Sequence, residues 1–421
     1  MEAHEHPTLS VFDVNFQSFA VVLLPLILSS AIIMAPARES QAQTLNVLYS
    51  FTSSGNVGYG PASGLIMDQA GSLYGTNYYG GEHGWGTVYR LSRAGSGWIA
   101  TGLYSFQGGT DGGNPVANVT FGPDGTLYGT TTAGGNGFGT VFNLRPPASV
   151  CKSSALCPWT ETVLYRFTGG SDGGFGTPSY ADALVFDRAG NFYGTTPIGG
   201  THGLGVVFKL TRSGSGWNES VLWSFTGHLD GSFPASGVVF DRAGNLYGTA
   251  SDGGTYNAGV VYELSPSGLG WTQQTLYSFT NQDQPPPYGG VAMDAQGNLY
   301  GTTGGDTGGA EAYELTLSGK NWTVSRRQIF SVYEGAYDTP TLDAQGNLYG
   351  TIVGGGGGLG EVFKLAPSGN GWIYTDLYDF NNFNDGSQPI GGVTLDASGN
   401  LYGTTFFGGE SGLGVVWEIT P

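Results

Sequence analysis

One short motif recurs along this chain and sets its architecture. The tripeptide Leu/Phe-Tyr-Gly occurs seven times, centred on Tyr74, Tyr128, Tyr193, Tyr247, Tyr300, Tyr349 and Tyr402. The intervals are 54, 65, 54, 53, 49 and 53 residues, and the single long one contains Cys151 and Cys157. A period of roughly 50 residues fits one four-stranded propeller blade and is too long for one turn of a β-helix. The motif therefore predicts seven blades.

Each copy contains four successive strand patterns, named A to D here. In the fourth copy they are Gly237–Asp241, Asn245–Ala250, Gly259–Leu264 and Trp271–Phe279. The A–B turn has the form Asp-x-x-Gly-Asn, in which glycine supplies a left-handed residue and aspartate caps the turn backbone. The 76 glycines and the aromatic fraction of 13% agree with many short strands joined by tight turns. The expected fold class is all-β.

The two ends of the repeat region predict how the ring closes. The seventh C strand, Val415–Ile419, is followed by no D strand, whereas Leu45–Phe51 is a D strand without its own blade. Pairing these two segments removes the exposed edges of an open sheet. We therefore predict a seven-bladed β-propeller of four-stranded blades, closed by the N-terminal strand completing the last blade.

Residues 1–42 are predicted to be a signal peptide, and residues 43–421 the propeller. An apolar run from Phe19 to Ala35 is interrupted by Pro25 and is short for a membrane span. Small residues follow it, with candidate cleavage points after Ala37 and Ala42. Residues 1–18 contain no Lys or Arg, which departs from an export signal, so an uncleaved anchor or a wrongly assigned start stays open. We expect a secreted, periplasmic or cell-envelope protein, without a stable membrane span once the signal is cleaved.

The chain has two cysteines, Cys151 and Cys157, in a loop inserted in blade 2. In an exported protein a local disulfide is the favoured interpretation, because the insertion has no histidine to complete a metal site.

The net charge of the chain is −18. Removing residues 1–42 takes away four acidic residues and one basic residue, leaving 28 against 13, or −15. Such a surface repels phosphate backbones, so we expect no nucleic-acid partner. A monomer is expected.

The repeat also resembles a known family. Its LYGTTxxGG followed by GxGVVFKL is similar to the GloVer tandem repeat of exported bacterial "choice-of-anchor" proteins, over about residues 45–421. The resemblance implies a secreted repeat protein of unassigned biochemical role; the anchor of that family pattern is not expected after Pro421. A weaker similarity is to kelch blades, through Gly253-Gly254, Tyr262 and Trp271.

Successive turns of a blade alternate between its two ends, so the B–C and D–A loops share one face, which we call the loop face. Its sequences vary from copy to copy, which favours it as the binding face. The D–A loops repeat an acid followed by glycine, at Asp111, Asp172, Asp230 and Asp385. These residues form turns in one interpretation and a ring of carboxylates for a cation or sugar hydroxyls in the other. No cofactor is expected, with Ca²⁺ as the open alternative.

The B–C loops of blades 1 and 7 differ most from the others and are neighbours across the closure. The ligand-binding candidates there are Tyr78, Tyr79, Glu82, His83, Trp85, Phe406, Phe407 and Glu410. Aromatic faces beside acids suit pyranose rings, through stacking and hydrogen bonds to hydroxyls. Simple packing between loops is the alternative.

These observations predict an exported, non-catalytic binding or adhesion propeller, with an extracellular glycan or protein as ligand. No catalytic residue is predicted, because no acid/base constellation recurs. The alternative is an extracellular enzyme on the same face. That enzyme would be a glycan hydrolase or lyase using Glu82 and Glu410, or a calcium-dependent lactonase.

Overall fold

The computed structural model describes residues 43–147, 159–176, 183–234, 236–280, 286–304, 309–330 and 335–420. These residues form strands and one 3₁₀ turn, Gly356–Gly358. The first seventeen strands are β1 (Thr44–Ser50), β2 (Ile66–Met67), β3 (Leu73–Asn77), β4 (Thr87–Ala94), β5 (Gly97–Ser105), β6 (Thr120–Phe121), β7 (Leu127–Thr131), β8 (Thr140–Arg145), β9 (Thr160–Arg166), β10 (Val185–Phe186), β11 (Phe192–Thr196), β12 (Val206–Ser213), β13 (Gly216–Ser224), β14 (Val239–Phe240), β15 (Leu246–Ala250), β16 (Val260–Ser267) and β17 (Gly270–Ser278). The last eleven are β18 (Val291–Met293), β19 (Leu299–Thr303), β20 (Ala310–Ser318), β21 (Asn321–Phe330), β22 (Thr341–Leu342), β23 (Leu348–Ile352), β24 (Glu361–Ser368), β25 (Gly371–Asp379), β26 (Thr394–Leu395), β27 (Leu401–Thr405) and β28 (Val415–Thr420).

The strands form seven antiparallel four-stranded sheets, which are the blades of a β-propeller. Six blades run in sequence order from A to D, beginning with β2-β3-β4-β5. The seventh has the order β1-β28-β27-β26, so the N-terminal strand is its D strand. Its register runs from Thr44 opposite Thr420 to Ser50 opposite Val415, with a bulge between Val47 and Tyr49. The predicted fold and its closure are confirmed.

The bounds of strands A and C differ from the prediction. In blade 4, strand A is only Val239–Phe240, whereas strand C extends to Ser267. Strand A is short because the chain before it bonds to the preceding blade: the Ser236 carbonyl accepts the Thr195 hydroxyl at 2.5 Å. Strand C is long because it stays paired with strand D up to the tight hairpin, where Ser267 lies opposite Gly270.

The repeated tyrosines connect the A–B turns to the blade interfaces. In blade 3, Asp187 accepts the backbone N–H groups of Ala189 and Asn191, both at 2.9 Å. Its second oxygen accepts the Tyr193 hydroxyl at 3.0 Å, and the Tyr193 ring packs edge-on against Phe240 of blade 4. Burial alone would raise the pKa of Asp187, but these hydrogen bonds and that from the Asn191 side chain lower it. The turn aspartates are thus capping residues, and the tyrosines are scaffold.

The threonine after each Leu/Phe-Tyr-Gly ties its blade to the next. Its hydroxyl donates to a backbone carbonyl of the following blade, just before strand A. The six described bonds run from Thr76 to Ala117, Thr195 to Ser236, Thr249 to Gly289, Thr302 to Asp338, Thr351 to Gly391 and Thr404 to Ser63. For Thr130 the equivalent acceptor, residue 182, lies outside the described part of the chain. The bond between Thr404 and Ser63, 2.7 Å long, carries this ring across the closure.

The hydrophobic core lies between the blades. Each of the seven clusters combines side chains of two neighbours, and the cluster at the closure joins Tyr402 and Val416 of blade 7 to Leu73 and Tyr89 of blade 1. Burying one such side chain contributes about 1.5–3 kcal/mol, so the closure is held by apolar packing as well as by strand pairing.

Two sequence predictions fall outside the described residues. These are the signal peptide, residues 1–42, and the Cys151–Cys157 disulfide. Within the described part of the chain, no helix has the length and apolar character needed to cross a membrane.

Candidate functional site

A continuous group of aromatic rings lies where blades 7 and 1 meet. Tyr79 stacks on Tyr59 with ring centroids 5.7 Å apart and meets Tyr78 edge-on at 4.6 Å. Across the closure, the Tyr79 and Phe406 rings are 6.3 Å apart, and Phe406 meets Phe407 at 4.7 Å. The structure therefore brings together the four predicted aromatics that follow the B strands of these two blades. We call Tyr59, Tyr78, Tyr79, Phe406 and Phe407 the seam platform.

Backbone pairing holds the loops of the seam platform. Tyr59 and Tyr79 exchange both N–H···O bonds, at 2.9 and 3.1 Å, between the D–A and B–C loops. Ser387 and Phe407 make the same reciprocal pair in blade 7, at 2.9 and 3.1 Å. The Gly60 N–H donates to the Leu413 carbonyl at 2.9 Å and so joins the two loop pairs across the closure. Fixed loops lower the conformational entropy lost when a ligand binds.

Two rings of the seam platform are open to solvent. Tyr79 is 42% and Phe407 41% exposed, while the other three rings are more buried. Gly60 forms the floor of the junction, because a Cβ at that position would lie 3.3 Å from the Tyr79 ring and 3.6 Å from that of Phe406. Burial raises the pKa of Tyr78, and the neighbouring Tyr79 raises it further.

Trp85 lies apart from the seam platform, although its loop is the same. Its indole packs on the next D–A loop, where a Cβ on Gly108 would lie 2.2 Å from ring atom Cδ2. Phe138 packs in the same way on Gly169 in blade 2, and Leu204 on Gly227 in blade 3. Blades 1, 2 and 3 thus each have an apolar residue between two glycines at this position. In blade 1 that residue is Trp85, although 42% of it is exposed.

Glu82 and His83 lie over the outer strand of blade 1. They line a cavity of about 260 Å³ together with Asn56 and residues of β5, including Tyr104. The Glu82 backbone N–H donates to the Ser105 hydroxyl at 2.8 Å. Glu410 is exposed in the equivalent loop of blade 7. The loop of blade 1 therefore places Glu82 toward the outer strand of its blade, whereas the aromatic pairs lie at the closure.

The side chains of the four D–A aspartates each accept a hydrogen bond from the outer strand that precedes their loop. Asp111 accepts the Tyr104 hydroxyl at 3.0 Å and Asp172 the Tyr165 hydroxyl at 3.0 Å. Asp230 accepts the Trp223 indole N–H at 3.2 Å, and Asp385 the Tyr378 hydroxyl at 2.7 Å. Each donor lies seven residues earlier, on the outer strand. Among the residues that the structure describes, no three His, Cys, Asp or Glu side chains are grouped as a metal site.

Sequence reasoning missed Tyr59, which stacks on the centre of the seam platform. A signal was available in the D–A loops, because the residue paired with the B–C loop is Gly113, Gly174, Ser232 or Ser387 in other blades and an aromatic only at Tyr59. It also missed an outer-strand carboxyl that faces the D–A aspartate of the preceding blade. Burial first, and then the charge of Asp111, raises the pKa of Glu161 to about 7.

Solved structures similar to this one share its fold with little sequence identity. A putative 6-phosphogluconolactonase from Bacteroides uniformis has a TM-score of 0.50 at 13% identity, over 76% of this chain and 84% of that one. An ulvan lyase bound to its saccharide has a TM-score of 0.45 at 10% identity, over 86% of this chain and 94% of that one. A putative glucose dehydrogenase from Thermus thermophilus has a TM-score of 0.42 at 16% identity, over 90% of this chain and all of that one. At these identities the likeness concerns the fold alone.

The repeat itself matches a family model, whereas no curated protein matches this sequence. The family is described as the Gloeobacter/Verrucomicrobia repeat, and it matches residues 37–157, 158–339 and 272–421. Together these matches extend over the whole propeller, including all seven Leu/Phe-Tyr-Gly motifs. The chain therefore belongs to the Gloeobacter/Verrucomicrobia repeat family.

Proposed function

We propose that this protein is an exported binding propeller whose seam platform stacks on the sugar rings of a neutral polysaccharide. One observation carries the proposal: five aromatic rings in a continuous series of contacts cross the closure, and two of them, Tyr79 and Phe407, are about two-fifths exposed. Contiguous apolar patches on a surface are typical of interaction sites, whereas single exposed apolar residues are not. Aromatic rings offer large contact area with few rotatable bonds, which suits flat pyranose faces.

The electrostatics favour a neutral glycan. The net charge of −18 opposes approach of polyanions such as uronate chains or nucleic acids. Hydroxyl groups need acceptors as well as apolar contact, and the exposed Glu82 and Glu410 lie in the loops that carry the seam platform. The platform itself consists of aromatic rings, so stacking supplies the affinity and the carboxylates act at its edges.

Affinity electrophoresis of the purified protein tests this proposal. Native gels containing xylan, laminarin, galactomannan or hydroxyethyl cellulose are run beside gels without polysaccharide. At least one polysaccharide is expected to retard the wild-type protein. Tyr79→Ala and Phe407→Ala should each weaken that binding by about 5- to 30-fold, which corresponds to about 1–2 kcal/mol of lost ring contact.

The matched control is Trp85→Ala. It removes an aromatic side chain of the same exposure from the same face, but one outside the ring contacts of the seam platform, so retardation should persist. The proposal fails if none of the polysaccharides retards the wild-type protein, or if the two platform variants are retarded as strongly as wild type. Release of reducing ends by wild-type protein would instead favour the enzyme alternative.

A further inference from the structure

The central channel contains a cavity whose lining residues come from one side of the ring. It has a volume of about 460 Å³ and is lined by blades 6, 7, 1 and 2, including Leu65, Asn118, Asp338 and Val393. Four consecutive blades can share one cavity only near the propeller axis. The lining residues either belong to the A strands or come directly before them, so the cavity runs along the inner strands and includes the end of the channel on the loop face.

An amide and a carboxylate side chain break the repeat at this point. Just before strand A, blades 1, 4, 5 and 7 have Gly64, Gly237, Gly290 and Gly392, blade 3 has Ala183 and blade 6 has Thr339, whereas blade 2 has Asn118. One position earlier, the described residues are Ser63, Ala117, Ser236, Gly289 and Gly391, and blade 6 has Asp338. Most described blades thus have a glycine, alanine or serine at these two positions. Here an amide and a carboxylate occupy the cavity wall instead.

The carboxylate is held in a fixed orientation. Asp338 Oδ1 accepts the Thr339 N–H at 2.6 Å, and Oδ2 accepts the Gly392 N–H of the next blade in a short hydrogen bond. These N–H groups position the charge in the wall between blades 6 and 7. Such an orientation suits an acceptor for ligand hydroxyl groups.

The side-chain oxygen of Asn118 has no hydrogen-bond donor near it in the described residues. Asn118 Oδ1 is buried and accepts no hydrogen bond from any residue in the described ranges. A buried acceptor without a partner is costly, which indicates a donor from water or from a ligand. Around these two groups the wall is mixed, with the apolar side chains of Leu342, Val393 and Leu395 beside three threonines, Thr339, Thr341 and Thr394.

From this juxtaposition we propose that the channel cavity binds a single neutral sugar ring, between the Asp338 carboxylate and the Asn118 amide. A sugar ring has both apolar C–H faces and hydroxyl groups, which suits a wall of mixed apolar and polar side chains. The volume of 460 Å³ lies in the lower part of the size range of small-molecule sites, roughly 300–1,000 Å³. A divalent cation is disfavoured, because one carboxylate and one amide supply too few oxygens for Ca²⁺.

The cavity is a second site beside the proposed polysaccharide platform, and it binds the terminal sugar ring of a glycan chain. The chain passes from Gly60, under the seam platform, to Leu65 at the cavity within five residues, which span at most about 18 Å. A glycan lying on the platform could therefore extend its terminal ring into the channel. The inference takes the ligand class from the proposed function, but the two sites are separate and are tested separately.

Saturation-transfer NMR with single monosaccharides tests the cavity. Glucose, galactose, mannose, xylose, rhamnose and N-acetylglucosamine are each added at millimolar concentration to the purified wild-type protein. At least one should receive saturation. Asn118→Gly, which introduces the residue of four other blades, should weaken its binding about 5- to 10-fold, and Asp338→Asn about 10-fold or more.

Tyr79→Ala should leave the monosaccharide signal unchanged, and thermal melting of each variant checks that it is folded. If Asp338→Asn does not fold, Asn118→Gly decides alone. The inference is overturned if none of the six sugars receives saturation, or if binding in the folded channel variants equals that of wild type. If no polysaccharide retards the wild-type protein but a monosaccharide receives saturation, the platform is overturned and the cavity is supported.

Discussion

The stability of the propeller should fall between about pH 5 and pH 7 because of two glutamates on its outer strands. Glu161 and Glu219 occupy equivalent positions, opposite Leu144 and Leu210 in the C–D pairing. In each, Oε1 is buried and has no hydrogen-bond partner in the described part of the chain. In blade 4 the same position is Gln273, whose amide donates to the Asp230 carbonyl at 3.3 Å. A glutamate can replace that donor only when it is protonated.

The pKa shifts give the sign and the size of the effect. Burial raises the pKa of Glu161 to about 7, with Asp111 adding to the shift and Arg166 opposing it. Burial, and then Asp172, raises the pKa of Glu219 to about 7. Native protein thus holds two protons that the unfolded chain, in which glutamate has its ordinary pKa of 4.5, releases, so stability decreases as pH rises through this interval. The full shift corresponds to about 3 kcal/mol per group, and partial exposure reduces this to about 1–1.5 kcal/mol.

Urea unfolding of wild-type protein and of the Glu161→Gln/Glu219→Gln double variant measures the effect. The variant copies Gln273 and cannot ionise, so its advantage over wild type should be small near pH 5 and grow by about 2–3 kcal/mol near pH 8. Glu410→Gln removes one charge from an exposed loop and controls for net charge. A difference between wild type and double variant that does not change with pH would refute the reasoning.

Two further predictions concern the scaffold and export. Asp241→Ala should destabilise the protein by about 1–3 kcal/mol in denaturant unfolding, since Asp241 accepts the N–H groups of Ala243 and Asn245 at 2.8 Å. The exposed neighbour Arg242→Ala should change stability by less than about 0.5 kcal/mol, and equal effects of the two would contradict the capping role. Intact mass of the protein recovered from the periplasm or medium of an expressing bacterium should correspond to a chain starting after Ala37 or Ala42. A mass that retains residues 19–35 would contradict cleavage.

The scaffold was predictable because it is repeated. Strands, capping turns and ring closure follow from motifs present in every copy, such as Asp241 with Tyr247 in blade 4. Loop contacts were harder to predict from the sequence, since they depend on backbone conformations that the repeated motifs do not encode. In the loop below Phe407, for example, Gln388 has a φ of 54°, in the left-handed region where a glutamine is uncommon. The sequence of a single loop does not separate Trp85 from the seam aromatics, because its different contact is evident only beside Phe138 and Leu204 at the same position of other blades.

The same comparison between blades explains where function is expected in this molecule. A residue present in all seven copies is sufficiently explained by packing, capping or ring closure, as Tyr402 and Thr404 are. A residue that departs from its equivalents has no such explanation, because the other blades fold without it. The departures cluster in a sector from blade 6 to blade 2, with Tyr79 and Phe407 over the closure and Asn118 and Asp338 in the channel. Exchanging these residues for their equivalents should therefore remove binding while leaving the propeller folded, whereas exchanging the repeated residues should do the reverse.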